Sequence, residues 1–325
     1  MKKYILLIIV LSSLQASAQF NKAGRTALQF LKIGIGAQQV AMGEAAIANV
    51  NDINSIFWNP AALTSIPSAE ASFHYTKWIG DLNITGGAVG VNLTGIGVIA
   101  LNYISLDYGD IDEALVTSPT GRLDTRTGNT FSGGDFAFGV GLARQFTDKL
   151  SVGINAKYIR EDLHTFTSSL WAFDIGTFYH TGWKGIRLAM SAQNFSSQAR
   201  WMFNLEENQQ SYELPLVFRI GWAIDLLGGD ELFLGGNPLM HKFTLSMDAL
   251  HTNDYSERLH VGGEYMFYNM FALRGGYKFN YEEGNLSFGA GFNYMLGMLN
   301  LKFDYAYVDY DFLQSPHRFS ISLAF

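Results

Sequence analysis

The chain has 325 residues with no cysteine, and 22 basic against 29 acidic residues give a formal net charge of −7. The absence of cysteine excludes disulfides as the framework that stabilises the fold. The acidic balance argues against a nucleic-acid partner, because binding phosphates requires a concentrated basic surface.

The first eighteen residues are typical of a secretory signal peptide. Lys2 and Lys3 form the positive start, 4–14 the apolar stretch and 16–18 the small-residue cleavage site. The apolar stretch is too short to cross a bilayer, which needs about 20 residues. The sequence therefore predicts export, with cleavage before Gln19 and a mature charge of 22 − 2 − 29 = −9.

Residues 19–68 have a composition that suits short helices. The stretch 36–50 is rich in alanine, and one helical face would carry Val40, Ala41, Ala45 and Ala48. Asn59 followed by Pro60 suits a helix start, with asparagine as the N-cap and proline at the first helical position. Pro67 would end that helix.

Residues 25–63 resemble the start of the PorV/PorQ family of Bacteroidetes outer-membrane proteins, which are related in fold to the FadL fatty-acid channels. The matching motif residues include Phe30, Leu31, Met42, Gly43, Trp58, Asn59 and Pro60. The resemblance implies a FadL-like barrel that serves the type IX secretion pathway. Its partners would then be translocon or attachment components and the C-terminal domains of secreted cargo.

From residue 69 onward, segments of about 9 to 13 residues alternate apolar and polar side chains, as two-faced strands do. There are fourteen of them: 69–78, 84–93, 96–105, 136–146, 150–160, 168–180, 186–195, 216–226, 243–249, 259–267, 271–279, 286–296, 299–307 and 317–325. A tilted strand that crosses a membrane needs about 9–11 residues.

The polar face of these segments carries charges of both signs, namely Lys157, Arg187, Arg219, Asp248, Glu264, Arg274 and Lys302. A soluble sandwich would cover its exterior with charge, but charged residues are only 16% of the chain, against roughly 25% in soluble domains. We therefore expect an all-β fold, a 14-stranded antiparallel transmembrane β-barrel over 69–325 in the outer membrane. Its apolar side would face lipid, and residues 19–68 would fill the lumen as a short helical plug.

Tight turns alternate with longer connections, as in outer-membrane barrels with both termini in the periplasm. The long connections 106–134 and 196–213 would then lie outside the cell. The connection 228–240 is long but falls on the periplasmic side, which indicates either a separate contact element or a miscounted hairpin. The last strand should pair with the first, because an open edge in lipid leaves backbone groups unsatisfied, and Phe325 would lie in the interfacial aromatic girdle.

No motif indicates catalysis, a cofactor or a metal site. Two loop clusters could suggest a hydrolase at the barrel rim, Glu161, Asp162 and His164 and also Asp309, Asp311 and His317, but both are better interpreted as solvated charge. The acidic loop 107–113 does not have the spacing of a calcium loop.

The aromatic run Trp201, Met202 and Phe203 in the connection 196–213 is a candidate contact for a partner. The alternative is that the run packs over the barrel mouth.

The resemblance favours a protein that binds secreted cargo and hands it over, with 106–134 and 196–213 as the contact surface. The alternative is a FadL-like channel for the uptake of small hydrophobic molecules.

Overall fold

The computed structural model describes residues 24–114, 126–203, 206–207, 210–228, 237 and 240–325. The predicted signal peptide, with its cleavage site before Gln19, lies outside these residues. So does most of the connection 228–240.

The barrel consists of fourteen antiparallel strands, as the alternation predicts. Two further strands of two residues each, β8 and β9, lie in the connection between β7 and β10. In chain order the strands are β1 (Ala69–Lys77), β2 (Asn83–Leu93), β3 (Gly97–Ala114), β4 (Arg126–Gln145), β5 (Leu150–Leu163), β6 (Phe166–His180), β7 (Arg187–Ser196), β8 (Met202–Phe203), β9 (Glu206–Glu207), β10 (Val217–Leu227), β11 (His241–Thr252), β12 (Arg258–Phe267), β13 (Phe271–Phe279), β14 (Leu286–Leu296), β15 (Leu299–Val308) and β16 (His317–Ala324).

The sheet closes on itself because β1 pairs with β16. The paired residues run from Glu70 opposite Ala324 to Lys77 opposite His317. The amide of Phe325 donates to the carbonyl of Ala69 at 2.9 Å. The predicted pairing of the last strand with the first is therefore confirmed, and no strand edge of the ring is left open to lipid.

The two faces of the sheet are arranged as predicted, with large apolar side chains outside. Val140 in β4 is 47% exposed on the outer face. On the inner face, Asn155 accepts a hydrogen bond from Asn102 and donates one to Asp174, both at 3.1 Å. Burying polar groups away from water is costly unless they are hydrogen-bonded. The polar side chains of the inner face accordingly bond to one another across neighbouring strands.

Ion pairs also connect the inner face. Arg274 of β13 donates to Glu264 of β12 and to Asp304 of β15. Arg187 pairs with Asp225 through two bonds of 2.9 Å. The charges that the sequence places opposite the apolar face therefore lie inside the barrel.

Two predicted connections need comment. Much of 106–134 is strand rather than loop, since β3 continues to Ala114 and β4 begins at Arg126. Beyond Asp107 this extension is mostly polar, with Ile111 opposite Phe131 as its main apolar pair, so it lacks the sustained alternation by which a half-buried strand is detected. The connection 228–240 joins the paired neighbours β10 and β11, so it does lie at the end of the tight turns and no hairpin was miscounted.

Residues 24–68, here called the lumen segment, run through the barrel from one end to the other. At the end of the long connections, Ala27 donates to the carbonyl of Glu213 at 3.0 Å. At the end of the tight turns, Thr64 donates to Ser151 at 2.8 Å. The described part of the segment thus begins at the opposite end from Phe325. The residues before 24 lie outside the described part of the chain, so the placement of both termini in the periplasm stays a prediction.

The lumen segment is less helical than predicted. Its helix α1 spans only Ala37–Ala41, and the rest consists of turns and the 3₁₀ helices Gln29–Lys32, Ile53–Phe57 and Pro60–Ser65. Gly43 and Glu44 both have φ of +63°, which ends α1. The amides that follow bond to the wall instead, with Ala46 and Ile47 donating to Asp248 at 2.8 and 3.1 Å.

The predicted cap at Asn59 is confirmed, since its side chain accepts from the amide of Ala61 at 3.1 Å. A further 3₁₀ helix, Ile79–Asp81, lies between β1 and β2. Among the described residues, no helix has the length and apolar character needed to cross a membrane.

Close backbone contact between the segment and the wall depends on glycine. A Cβ on Gly276 of β13 would overlap the backbone of Gly43, and one on Gly262 of β12 would overlap the carbonyl of Met42. A side chain at either wall position would therefore push the segment away from the barrel.

Candidate functional site

A cavity of about 470 Å³ lies at the end of the barrel that carries the long connections. We call it the mouth cavity. It is lined by Gln29, Lys32, Ile33, Gly34, Glu44, Trp78, Ile79, Val217, Arg219, Leu250, Thr252, Tyr255, Arg258, Lys278, Tyr281, Glu283, Tyr310 and Arg318. The lumen segment forms one side, and strand ends and connections form the rest. Its volume is in the range of small-molecule sites, about 300–1,000 Å³.

Positive charge predominates in the lining of the mouth cavity. Five lining residues are basic, whereas only Glu44 and Glu283 are acidic. Lys32 pairs with Asp254, which lies behind it. Lys278 lies 3.3 Å from the carboxylate of Glu44.

The basic groups of the mouth cavity lie against aromatic rings. The guanidinium of Arg258 is 4.0 Å from the ring centroids of both Tyr255 and Tyr281. That of Arg318 is 5.1 Å from the ring of Trp78. Such cation–π contacts hold a cation in place and leave its charge available to an anion.

Glu44 is the buried acid among these cations. Burial alone would raise the pKa of its carboxyl group, but the charges of Lys278, His260 and Arg219 outweigh that effect and lower the pKa to about 2. The Glu44 carboxylate is therefore ionised at any ordinary pH, and the potential around it is strongly positive.

Three arginines of the mouth cavity keep a buried nitrogen without a hydrogen-bond acceptor among the described residues. These are the Nε atoms of Arg219, Arg258 and Arg318. Arg219 and Arg318 are 5% and 3% exposed. A buried donor without a partner costs about 1–3 kcal/mol, so these groups could gain from an added acceptor.

A second, polar cavity of about 270 Å³ lies near the tight turns and is lined by Gln38, Asn49, Arg274, Asn300 and Lys302, among others. It shares no lining residue with the mouth cavity: Glu44 of the lumen segment lines the mouth cavity and Gln38 lines the polar one.

The motif residues of the lumen segment have mainly packing roles. Phe30, Met42, Trp58, Asn59 and Pro60 are buried, as is the backbone of Gly43, and Leu31 is half-buried. Trp58 donates from Nε1 to the carbonyl of Ile35 at 2.9 Å, and Asn59 donates to the carbonyl of Thr177 at 3.1 Å. None of the motif residues lines the mouth cavity or the polar cavity.

The run Trp201, Met202 and Phe203 lies at the same end of the barrel as the mouth cavity. Trp201 packs inward, donating from Nε1 to Glu161 at 3.0 Å. Met202 is 45% exposed, and the side chain of Phe203 lies outside the described part of the chain. A partner contact through Met202 stays a prediction, while Trp201 follows the packing alternative.

The described side chains of the two rim clusters contact residues outside their own cluster. Asp162 pairs with Arg160, and the ring of His164 lies 4.9 Å from that of Phe131. His317 bonds to the hydroxyl of Tyr305 at 2.8 Å. Within the described ranges, no group of three or more acidic or histidine side chains is placed to hold a metal.

Trp78 lines the mouth cavity beside Arg318. The other cavity residues Tyr255, Arg258, Lys278 and Tyr281 were not predicted. The sequence carries only a weak signal for these cavity residues. At the ends of two strands a tyrosine lies three residues from a basic residue, at 255/258 and at 278/281.

Comparison with solved structures establishes the fold. The Pseudomonas putida toluene transporter TodX is similar with a TM-score of 0.58 and 11% identity, over 89% of this chain and 97% of that one. The CymD monoaromatic hydrocarbon channel has a TM-score of 0.55 and 12% identity, over 90% and 98%. A FadL homologue from Pseudomonas aeruginosa has a TM-score of 0.52 and 12% identity, over 95% and 98%.

The fold is FadL-like. The chain thus has the fold of a fourteen-stranded outer-membrane β-barrel, as the sequence predicts. No family model matches the sequence, and no curated protein is similar to it by sequence. The comparisons therefore support the FadL part of the resemblance and give no support to its PorV/PorQ part.

Proposed function

We propose that this FadL-like barrel is a channel for the uptake of small hydrophobic molecules across the outer membrane. The observation that carries the proposal is the fold shared with a toluene transporter and a monoaromatic hydrocarbon channel over about nine-tenths of the chain. The mouth cavity also supports the proposal, because four aromatic side chains line it and it has the volume of a small-molecule site. This was the alternative on sequence grounds and is now the preferred function.

The proposed route begins in the mouth cavity and must pass the lumen segment. Ile33 lines the cavity on the lumen-segment side. Replacing it with tryptophan would fill part of the space without adding charge. Ile96, 55% exposed in the tight turn between β2 and β3, offers a matched control for the same change.

The test is accumulation of radiolabelled toluene by cells that express the protein, compared with cells that lack it. We expect faster uptake with the protein, a several-fold reduction in Ile33→Trp and no change in Ile96→Trp. Uptake equal to that of cells without the protein would contradict the channel.

The type IX role rests on the resemblance of 25–63 to the PorV/PorQ family. Since most of those motif residues pack inside the barrel, they account for the fold of the lumen segment without a cargo role. Affinity purification from the native host separates the two functions. Recovery of secreted proteins that share a C-terminal β-domain, together with absent toluene uptake, would favour cargo transfer.

A further inference from the structure

We propose that the mouth cavity binds the carboxylate of an aromatic acid, so that aromatic acids bind more tightly than the uncharged hydrocarbons that the barrel also admits. The inference rests on the proposed channel function and specifies its substrate class. It goes beyond the solved structures named above, which are a toluene transporter and a monoaromatic hydrocarbon channel.

The first argument is the charge that the protein leaves without a carboxylate. Lys32 is paired with Asp254, and Glu44 lies between Lys278 and Arg219, at 3.3 and 3.9 Å. Within the described residues, Arg258 and Arg318 have no carboxylate partner. An uncharged hydrocarbon offers these two cations no hydrogen-bond acceptor, whereas a carboxylate would form charge-assisted hydrogen bonds with them.

The second argument is the set of donors without acceptors. The Nε atoms of Arg219, Arg258 and Arg318 are buried and unpaired within the described part of the protein, and all three residues line the same cavity. Arginine presents its donors in a planar fork that matches a carboxylate. A ligand carboxylate in the cavity would add an acceptor to guanidinium groups whose hydrogen bonds the described residues do not complete.

The third argument concerns the body of the ligand. The rings of Trp78, Tyr255, Tyr281 and Tyr310 line the cavity among the charges. Aromatic rings pack favourably against other rings in stacked or edge-to-face geometry. A compact ring that bears one carboxylate fits this lining better than a long alkyl chain, which would need an extended apolar tunnel.

Arg258 is the best residue for a test. It is half-buried at the start of β12 and forms no ion pair that its loss would break within the described residues. Arg258→Gln removes the charge and keeps a polar side chain, while Arg258→Lys keeps the charge and loses the planar fork. Arg160→Gln is the matched control, because Arg160 pairs with Asp162 at the exposed end of β5.

The experiment is calorimetric titration of the purified barrel in detergent with benzoate, octanoate, toluene and inorganic phosphate, at constant ionic strength. We expect benzoate to bind at least tenfold more tightly than toluene or phosphate and more tightly than octanoate. Arg258→Gln should weaken benzoate binding about tenfold or more, as loss of a charged hydrogen bond does. The affinity of Arg258→Lys for benzoate should lie between those of Arg258→Gln and the wild type. Arg160→Gln should bind benzoate as tightly as the wild type does.

Three results would overturn the proposal. Toluene could bind as tightly as benzoate, Arg258→Gln could leave benzoate binding unchanged, or phosphate or octanoate could match benzoate. Failure of the channel function is a separate result: benzoate would bind and respond to Arg258→Gln, but neither benzoate nor toluene would enter cells faster when the protein is present.

Discussion

The ammonium group of Lys278 lies 3.3 Å from the carboxylate of Glu44, and this contact joins the barrel wall to the lumen segment. Glu44 is in the segment just after α1, whereas Lys278 is near the end of β13. Both side chains are buried. Because a buried ion needs its partner, the pair makes the position of the segment depend on the folded wall.

Replacing Glu44 with glutamine should destabilise the protein. The change leaves Lys278 and Arg219 buried near a neutral group, and removing one partner of a buried pair costs roughly 3–5 kcal/mol. Denaturant unfolding in detergent micelles measures the loss. Glu257→Gln is the control, since the side chain of Glu257 is 76% exposed. Equal stability of the two variants would show that the Glu44 pair contributes little.

The stabilisation from Glu44 should disappear in acid. Its pKa in the folded protein is about 2, below the ordinary value of 4.5. A group with a lowered pKa stabilises the fold fully above its ordinary pKa and loses this effect as the pH falls through the folded value. The difference in unfolding free energy between the wild type and Glu44→Gln should therefore be constant above about pH 4.5 and shrink towards pH 2. A difference that stays constant down to pH 2 would contradict this assignment.

Gly276→Ala should disturb the packing of the lumen segment. A Cβ at Gly276 overlaps the backbone of Gly43, whereas the neighbouring Gly275 has its nearest atom at 3.9 Å. Overpacking of this kind typically costs about 1–3 kcal/mol. Thermal unfolding followed by circular dichroism should show a lower midpoint for Gly276→Ala and little change for Gly275→Ala. The same midpoint for both would mean that the contact with Met42 and Gly43 is loose.

A charged residue on the outer face should lower the stability of the barrel by an amount that depends on its depth in the membrane. Val140 is outward-facing within β4, and its change to arginine should cost about 2–4 kcal/mol if it lies near the bilayer midplane. Leu163, at the end of β5, should tolerate arginine at a cost of about 0–1 kcal/mol. Unfolding in lipid vesicles compares the two variants. An equal loss of unfolding free energy in the two variants would show that Val140 does not face acyl chains.

The barrel was predictable because its signal repeats along the chain. Each strand alternates over about ten residues, so that Leu101 and Val140 point outward while Asn102 and Asn155 point inward. The cap at Asn59 was also predictable, since it depends only on neighbouring residues. The wall extension at 110–114 was missed because polar residues lie on both of its faces, so that no clear alternation marks it.

The sequence by itself determined the number of strands, the side that faces lipid and the pairing of the first strand with the last. Only the tertiary structure decided the path of the lumen segment, the early end of α1 and the composition of the mouth cavity. The reason is the range of the interactions. Alternation and capping act between residues close in the chain, whereas the cavity brings together Lys32, Glu44, Arg219, Arg258, Lys278 and Arg318. Their proximity follows from closure of the barrel around the segment, which leaves no periodic trace in the sequence.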